Sequence, residues 1–373
     1  MTPDPLHFLT LASAEGLGCR GAHRLLELYS NASAIFSASA SDLVQQGLPE
    51  FVAKSLLSDK AKFQAEAELA KCQQNQVKIL TTCDEAYPPI LRQIYDPPIL
   101  LYVRGDVTCL SYSSIAIVGS RRATPYGINA AEKLARDLAQ RGLTICSGLA
   151  RGIDSAAHRG ALEAGGKTIA VLGSGLNYIY PRENKKMAQQ IEKNGCVISE
   201  FPLGTSPSPQ NFPIRNRVIS GLSLGTCLVE AAEFSGSLIT ARLALEQGRE
   251  VMAVPGNITS PNSFGPNLWI KQGAKLVQNW EDIVEELPRP VKEQVLRVKK
   301  ALTQDREGAL FAELLTPSEK CVLKLLRDDE ASHVDHLLEC SGLTAPELLS
   351  ALSELEMKDK IKQLPGKSFV RKV

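Results

Sequence analysis

The chain has 373 residues, of which 44% are hydrophobic and 22% charged, and its formal net charge is +1. This composition is typical of globular proteins, and at roughly 100–200 residues per domain the length predicts two to four domains. The apolar runs fall far short of the about 20 residues that a membrane helix needs, so no membrane partner is expected. Nine cysteines without a Cys-x-x-Cys pair argue against a disulfide framework and a zinc ribbon. The first eleven residues carry no Lys or Arg, which argues against a secretory signal and favours a cytoplasmic protein with reduced thiols.

The first 80 residues predict a small helical module. Leu and Ala recur there at helical spacing, with breaks at Gly16, Gly18 and Gly47. The turn at Gly16 and Gly18 is compatible with a helix–hairpin–helix, whose backbone N–H groups would face a phosphate. A SAM-like packing module without a ligand explains the pattern equally well.

Residues 81–285 alternate apolar runs with amphipathic stretches, which predicts a second domain. The predicted strands are Ile99–Val103, Ile115–Val118, Thr144–Cys146, Thr168–Leu172, Cys196–Ser199, Thr226–Val229 and Val251–Val254. The six strands from Ile115 onward are near-continuously apolar, which is typical of parallel strands buried on both faces. The predicted helices between them are Tyr126–Arg141, Ser155–Ala164, Asn184–Lys193 and Leu238–Gln247. Repeated strand–helix units predict an α/β fold with a Rossmann-like, doubly wound, mostly parallel sheet.

Residues 286–309 are charged, contain Pro288 and Pro290, and predict a linker. Residues 310–373 predict a winged-helix-like domain, with helices at Pro317–Arg327, Val334–Cys340 and Ala345–Met357 and a hairpin at Ile361–Leu364 and Ser368–Arg371. From Phe311 onward there are 9 basic and 11 acidic residues. Because a helix that reads duplex DNA is normally basic, this favours a protein-contact or regulatory role and disfavours a transcription regulator.

The charge balance changes along the chain. From Ser113 to Trp280 there are 18 Lys and Arg against 11 Asp and Glu, which gives this region +7 and leaves −6 for the rest. A basic middle region favours an anionic ligand there, although ordinary scatter of charge between segments explains it equally well.

The ligands of an open α/β sheet bind beyond the carboxyl ends of its strands. The loops expected at that edge contain Gly119-Ser120-Arg121-Arg122, Gly148, Gly173-Ser174-Gly175, Asn211-Phe212-Pro213-Ile214-Arg215-Asn216-Arg217 and Ser235-Gly236-Ser237. Glycines and serines at helix starts leave backbone N–H groups open to an anion. Arg121, Arg215 and Arg217 add guanidinium groups suited to phosphate. Several such loops on one rim predict a phosphate-rich ligand.

No cofactor and no metal are expected. The G-x-G-x-x-G fingerprint of dinucleotide binding is absent, and so is the P-loop lysine signature. Five scattered histidines, with His333 and His336 as the close pair, offer little for a metal site.

Two groups of residues suggest catalysis. Asp154 and His158 lie four residues apart at a helix start, where an acid–base pair is one explanation and a helix cap beside a packed histidine is the favoured one. Glu230, at a strand end, and Glu233 are candidate carboxylates for a nucleotide hydrolase, although a solvated or capping role is favoured for both.

The loop motifs extend to a longer series in a fixed order. They are Ile117-Val118-Gly119-Ser120-Arg121, Ser147-Gly148-Leu149-Ala150-Arg151-Gly152-Ile153-Asp154 with His158, Tyr180-Pro181, Ser199-Glu200, Phe212-Pro213 with Arg215-Asn216-Arg217, Ser235-Gly236-Ser237-Leu238-Ile239-Thr240, and Val254-Pro255-Gly256. This series resembles the DprA (Smf) family of DNA-processing proteins over about residues 87–277. The helical N-terminal module and the winged-helix-like domain also fit the longer members.

The resemblance implies a bacterial cytosolic protein that binds and protects single-stranded DNA entering during natural transformation. It implies that the protein loads the RecA recombinase onto that DNA and relieves the block from single-strand-binding protein, a further candidate partner. It also implies a homodimer that pairs through the Rossmann-like domain and has no catalytic residue.

The resemblance makes Arg121 the main phosphate-contacting arginine, and it places a basic residue of the same groove at Lys185 or Lys186. The full candidate set for single-stranded DNA is Gly119, Ser120, Arg121, Arg122, Gly148, Lys185, Lys186, Arg215, Asn216, Arg217, Ser235, Gly236 and Ser237. Phe212 and Tyr178 are candidates for base stacking, with core or dimer surface as an equal alternative.

The alternative function is a Rossmann-like nucleotide hydrolase of the phosphoribohydrolase type. Gly225-Thr226 with Glu230 resembles that class, but the Pro-Gly-Gly run expected before the Gly-Thr pair is missing.

Overall fold

The computed structural model describes residues 4–29, 31–308, 316–327, 331–358 and 360–371, with the backbone alone described for 299–308. Its N-terminal part comprises six helices: α1 Pro5–Ser13, α2 Gly18–Leu28, α3 Ala32–Ser37, α4 Ala40–Gln45, α5 Glu50–Leu56 and α6 Asp59–Gln74. Asp4, Asn31 and Ser58 cap α1, α3 and α6 by accepting hydrogen bonds from first-turn N–H groups. Their apolar faces share one core with residues of the sheet that follows, as the buried Phe8 and Tyr102 illustrate. The predicted helical module is therefore present and packs against the second domain.

Nine strands form one sheet: β1 Lys78–Thr81, β2 Leu100–Gly105, β3 Ser114–Val118, β4 Thr144–Ser147, β5 Thr168–Leu172, β6 Cys196–Ser199, β7 Gly225–Leu228, β8 Glu250–Ala253 and β9 Lys275–Leu276. Their order is β1-β2-β6-β5-β4-β3-β7-β8-β9. β2 pairs antiparallel with both β1 and β6, and the other pairs are parallel. All seven predicted strands are present, whereas the edge strands β1 and β9 were not predicted.

Helices cover both faces of this sheet: α7 Pro89–Arg92, α8 Pro125–Ala139, α9 Ile153–Glu163, α10 Lys185–Asn194, α11 Asn211–Leu222, α12 Ser237–Glu246, α13 Phe264–Lys271 and α14 Trp280–Glu285. Successive side chains of β3 show the two faces, because a strand alternates its side chains. Ile115 and Ile117 join the core formed with α8, α9 and α14. Ala116 and Val118 join the core formed with α7 and α11. The predicted doubly wound, mostly parallel sheet is confirmed.

The sheet has its topological switch point at β3. The strands that follow β3 in the chain, β4 to β6, extend to one side of it, and β7 and β8 extend to the other. In doubly wound sheets the loops that leave the two strands at such a point diverge and border a crevice. The loop after β3 starts at Gly119 and the loop after β7 contains Ser235, so two of the predicted phosphate-binding loops meet here.

The segment around Arg215, predicted as a loop, is the first half of α11. Pro213 lies in its first turn, where the missing N–H has no helical partner to lose. Consecutive residues of an α-helix point about 100° apart. Arg215, Asn216 and Arg217 therefore cannot all face one ligand.

Residues 289–308 form the helix α15, Arg289–Gly308, so the predicted linker is helical over most of its length. Pro288 precedes this helix and Pro290 lies in its first turn, where proline is tolerated. Val295 is buried in the core beneath α8 and α9, so the start of α15 packs on the second domain.

The C-terminal elements are α16 Pro317–Leu325, β10 Ser332–His333, α17 Val334–Ser341, α18 Ala345–Met357, β11 Ile361–Leu364 and β12 Ser368–Arg371. The three strands form an antiparallel sheet in the order β10-β12-β11. Val322, Leu337, Leu352 and Leu355 are buried in a core of their own. The predicted winged-helix order is confirmed, and its predicted start at residue 310 lies outside the described residues.

Candidate nucleic-acid interface

A cavity of about 1050 Å³ opens at the switch point. We call it the switch-point groove and define it by its lining residues: Val118, Gly119, Ser120, Arg121, Arg122, Ala150, Asp154, Tyr180, Pro207, Pro209, Phe212, Pro213, Arg215, Asn216, Ile219, Ala232, Glu233, Phe234, Ser235, Gly236, Ser237, Ile239, Thr240, Pro261, Asn262 and Phe264. Nine of the thirteen residues predicted for single-stranded DNA are in this lining, and Gly148, Lys185, Lys186 and Arg217 are not.

The loop from Gly119 to Arg122 is fixed by its backbone. The Ser120 N–H donates to the Glu230 carbonyl at 2.6 Å, and the Ser120 carbonyl accepts from the Ile153 N–H at 3.2 Å. A Cβ at Gly119 would stand 2.7 Å from that same Glu230 carbonyl, so only glycine allows this approach. The side chains of Arg121 and Arg122 are exposed. The loop therefore holds two cations over the groove on a rigid backbone.

Phe212, in the first turn of α11, lies among two arginines and a tyrosine. The Cζ atoms of Arg121 and Arg215 are 5.0 Å and 5.9 Å from its ring centroid, within the range of cation–π attraction. The Tyr180 ring is 5.8 Å away and tilted by 33°. This cluster presents aromatic surface directly beside positive charge.

Arg215 forms part of the inner wall of the groove. Its Nη1 donates to the Gly148 carbonyl at 2.6 Å and to the Val171 carbonyl. Burial lowers the pKa of Arg215 to about 10, and the nearby Asp154 opposes the shift, so the guanidinium stays charged at neutral pH. Since only 5% of the residue is exposed, its charge acts on a ligand mainly through its field.

Gly148 is needed to position the Arg215 side chain and not for contact with a ligand. A Cβ there would stand 2.4 Å from the Arg215 Nη1. The Gly148 N–H is also occupied, because it donates to the Asp154 carboxylate at 3.1 Å. The prediction that Gly148 contacts DNA is not supported by this geometry.

Arg217 follows Arg215 and Asn216 on α11, and its side chain faces away from the groove. Its Nε is 3.2 Å from the Asp96 carboxylate, and its Nη2 pairs with Glu200. The residue is 7% exposed. Because its guanidinium is buried in an internal ion-pair cluster, this geometry does not support the predicted phosphate contact at Arg217.

Asn216 and the Ser235-Gly236-Ser237 segment are joined at the opposite wall. The Asn216 Nδ2 donates to the Gly236 carbonyl at 3.3 Å, and the Ser235 and Ser237 hydroxyls lie 2.8 Å apart. Ser237 begins α12, so the segment lies at a helix N-terminus, where the helix dipole favours an anion. The predicted phosphate loop therefore lies where an anion would be stabilised.

Lys185 and Lys186 are exposed at the start of α10. They follow Tyr180, which does line the groove, but they are not in the lining themselves. Tyr178, the second stacking candidate, is 46% exposed and also lies outside the lining.

The candidate acid–base residues are engaged in structural contacts. The Asp154 carboxylate accepts from the Gly148 and Ala150 N–H groups, and burial raises its pKa. The fully buried His158 shares a 2.7 Å hydrogen bond with Thr168, and burial lowers its pKa to about 3. Asp154 and His158 therefore do not form a catalytic pair, which agrees with the favoured explanation.

Glu230 is likewise committed to the fold. It is 3% exposed, and its carboxylate accepts from the Thr124 N–H at 2.9 Å and from the Thr124 hydroxyl at 2.5 Å. Thr124 is the N-cap of α8, so Glu230 anchors a helix start. The nucleotide-hydrolase alternative, which depended on a free Glu230, is not supported.

Sequence reasoning missed Phe234 and Asn262. Phe234 is 94% exposed on the groove lining. Its place between Glu233 and the Ser-Gly-Ser segment was a usable signal, because an aromatic beside an anion-binding loop suits nucleotide stacking. Asn262 donates from Nδ2 to the Arg122 carbonyl at 2.8 Å, a contact between residues 140 positions apart that local sequence does not reveal.

Within the described ranges, no helix combines the length and apolar character needed to cross a membrane. In the same part of the chain, no three His, Cys, Asp or Glu residues are grouped so that they could hold a metal ion.

Comparison with known proteins identifies relatives of both the central and the C-terminal domain. Residues 78–288 match the family model of DNA recombination-mediator protein A, and residues 310–367 match that of the DprA winged helix domain. Protein Smf of Escherichia coli strain K12 is 42% identical over 336 residues, which cover 88% of this chain and 86% of that protein.

Two solved structures extend the comparison. The X-ray structure of DprA from Streptococcus pneumoniae matches with a TM-score of 0.69 and 37% identity, covering 77% of this chain and 99% of that one. A structure of DprA from Helicobacter pylori, described as revealing its single-stranded DNA binding mode, matches with a TM-score of 0.51 and 33% identity and covers 56% of this chain and 94% of that one.

These matches confirm the predicted resemblance and the predicted winged-helix domain. They also confirm the prediction of a non-enzyme, since the matched family is described as a DNA recombination mediator. The chain belongs to the DprA (Smf) family, the DNA recombination-mediator protein A family.

Proposed function

We propose that this protein binds single-stranded DNA in the switch-point groove and acts in the cytoplasm as a recombination mediator of natural transformation. In this proposal it protects the incoming strand, loads the RecA recombinase onto it and counteracts single-strand-binding protein. The observation that carries the proposal is the exposed Arg121 beside the ring of Phe212. A single strand offers both a phosphate and an unstacked base, and the two side chains suit these two groups.

The remaining groove residues extend the same recognition. Arg122 adds a second exposed cation, and Ser235 and Ser237 add hydroxyls at the N-terminus of α12. The contacts address the sugar–phosphate backbone and ring faces, which carry little sequence information. We therefore propose binding with little base preference, with Lys185 and Lys186 contacting the strand where it leaves the groove near Tyr180.

The solved relative from Helicobacter pylori supports this proposal because its description concerns single-stranded DNA binding, and it is 33% identical to this chain. A duplex fits the site less well, because its bases are stacked inside the helix and cannot reach the ring of Phe212.

Substitution of Arg121 by Ala tests the proposal. We expect weaker binding of a fluorescent oligo-dT and a salt dependence reduced by about 0.7 in the slope of log K against log salt, the loss of one phosphate contact. Arg289→Ala, which removes a 90% exposed arginine outside the groove, is the matched control. Far-UV circular dichroism checks the fold. Unchanged affinity in folded Arg121→Ala protein would show that the groove is not the DNA site.

Loading of RecA requires its own measurement. We expect the wild-type protein to speed RecA filament assembly on DNA coated with single-strand-binding protein, and Arg121→Ala to lose this effect together with DNA binding. If Arg121→Ala binds DNA poorly and still promotes assembly, loading does not depend on the groove.

We also propose a homodimer that pairs through the Rossmann-like domain. Leu245 on α12 is 61% exposed and Leu268 on α13 is 37% exposed. Both lie beside residues through which α12 and α13 pack, namely Ala244 and Trp269. We propose that these two exposed leucines lie in the dimer contact, since exposed apolar surface is of the kind that marks a protein contact.

A further inference from the structure

The turn that precedes α12 places an acidic residue on the lining of the switch-point groove. The Ser235 N–H donates to the Ala232 carbonyl at 2.9 Å, so Glu233 and Phe234 are the two central residues of a β-turn. Both residues line the groove, and both are exposed. We call this segment, residues 232–235, the acidic turn.

Backbone hydrogen bonds hold the acidic turn in place. The Ala231 N–H donates to the Asn262 carbonyl at 2.7 Å, and the Ala231 carbonyl accepts from the Gly265 N–H at 2.8 Å. A Cβ at Gly265 would stand 2.8 Å from that carbonyl, so this close approach requires glycine. Because the backbone is already ordered, little of it has to be fixed when a ligand binds.

Glu233 does not fit a surface that contacts phosphates alone. Its carboxylate forms no hydrogen bond or ion pair with any residue that the structure describes, although Arg121 and Arg122 line the same groove. A negative charge in this position repels a phosphate that comes near it. The groups that satisfy a carboxylate are N–H donors, and in DNA these belong to the bases. The acidic turn therefore marks a place where a base, and not the backbone, meets the groove.

Phe234 supplies a surface for such a base. The residue is 94% exposed, and Ile239 and Phe264, which are 38% and 45% exposed, lie in the same lining. An aromatic face binds an unstacked base of any kind by stacking. The Cα atoms of Glu233 and Phe234 are about 3.8 Å apart, as in any two consecutive residues. A base that stacks on Phe234 is therefore within reach of the Glu233 carboxylate.

We propose that the acidic turn selects guanine at one nucleotide of the bound strand. The Watson–Crick edge of guanine carries two neighbouring N–H donors, at N1 and N2, and these match the two oxygens of a carboxylate. Adenine, cytosine and thymine each offer N–H donors from a single nitrogen of that edge. The inference rests on the proposed DNA function. It adds one base-reading position to contacts that otherwise address the backbone and the ring faces.

Strands of equal length test the inference on the full chain. The reference is oligo-dT, and in the other strands isolated thymidines, never adjacent ones, are replaced by deoxyguanosine, deoxyadenosine or deoxyinosine. We expect the wild type to bind the guanine strand about fivefold more tightly than the adenine strand, which controls for the stacking of a purine. Inosine lacks the N2 amino group of guanine, so the inosine strand should lose most of this gain.

Variants of the two central residues identify the groups responsible. Glu233→Gln replaces one acceptor oxygen by a donor, so we expect it to lose the guanine preference. It should also bind oligo-dT more tightly, because a repelling charge has left the groove. Phe234→Ala should weaken every strand by about tenfold, since the stacking surface is lost. Glu246→Gln, which changes an exposed glutamate of α12 outside the lining, is the matched control.

The outcomes separate this inference from the proposed function. Equal binding of the guanine and adenine strands, equal binding of the guanine and inosine strands, or a guanine preference that persists in Glu233→Gln overturns the inference. The proposed function survives these results as long as Arg121→Ala weakens binding of all strands. Weaker oligo-dT binding by folded Glu233→Gln also overturns the inference, because the carboxylate would then support the turn. If Arg121→Ala binds every strand as the wild type does, both the proposed function and the inference fail.

Discussion

At the scale of single residues, the groove divides its two central arginines between different tasks. Arg215 is fixed by the carbonyls of Gly148 and Val171 and is 5% exposed, so it supports the site from within. Arg121 extends from the opposite loop and is exposed, so it is free to meet a phosphate. Phe212 lies in contact with both. The Phe212 ring therefore lies close to one buried guanidinium, that of Arg215, and one exposed guanidinium, that of Arg121.

This arrangement predicts distinct effects for Phe212 and Arg121. We expect Phe212→Ala to weaken oligo-dT binding by about tenfold, because stacking on an aromatic ring contributes about 1–3 kcal/mol per base. The salt dependence should stay at the wild-type slope, since no phosphate contact is lost, whereas Arg121→Ala should reduce it. Salt titrations of both variants decide this. A reduced slope in Phe212→Ala would mean that the ring acts by positioning Arg121.

The sequence predicted those groove residues that lie in a recognisable local motif. Gly119 to Arg122 and Ser235 to Ser237 stand between a strand and a helix, and both segments line the groove. The prediction for Arg217 is not supported, because its ion-pair partners Asp96 and Glu200 come from distant segments of the chain. Local sequence showed an arginine in a promising loop and could not show that its charge was already neutralised.

At the scale of elements, α11 decides which side chains reach the groove. The helix directs Phe212 and Arg215 into it and turns Arg217 to the Asp96 and Glu200 carboxylates. The sequence did not predict this helix, because Asn211-Phe212-Pro213 resembles a loop and because the two arginines make a buried helix face look exposed. The strands were easier to predict, since burial on both faces makes them continuous apolar runs.

The position of Arg217 on α11, where it faces Asp96 and Glu200, makes it important for stability. We expect Arg217→Met to lower the free energy of unfolding by about 3–5 kcal/mol, because it leaves the Glu200 and Asp96 carboxylates without their cation. We expect the oligo-dT affinity of the folded protein to change by less than about twofold. The loss of a phosphate contact would lower the affinity by more than this. Urea unfolding and the DNA titration together measure this. Weakened binding at wild-type stability would restore Arg217 to the DNA surface.

At the scale of the whole molecule, the exposed leucines of α12 and α13 predict the dimer surface. We expect the wild-type protein to be a dimer in multi-angle light scattering, and Leu245→Glu combined with Leu268→Glu to be a monomer, because two buried unpaired carboxylates oppose association. Leu349→Glu is a matched control, since Leu349 is 55% exposed on α18 of the other domain. A dimer that survives the double substitution would place the interface elsewhere.

The winged-helix domain gives the last prediction, because its charge and its core separate it from DNA binding. Its buried residues, from Val322 to Phe369, form a cluster of their own, so its removal leaves the core of the second domain complete. Its 9 basic and 11 acidic residues give no net attraction for a polyanion. We therefore expect a chain that ends at residue 309 to bind oligo-dT within about twofold of the full chain and with the same salt slope.

Assembly of RecA on the same DNA tests the protein-contact role predicted for this domain. If the domain contacts a protein, truncation changes the assembly rate while DNA binding persists. The Arg121→Ala substitution in the shortened chain is the control, because it should weaken binding to the same extent in both backgrounds if the groove is the DNA site. A large loss of affinity on truncation alone would mean that the domain holds DNA despite its acidic balance.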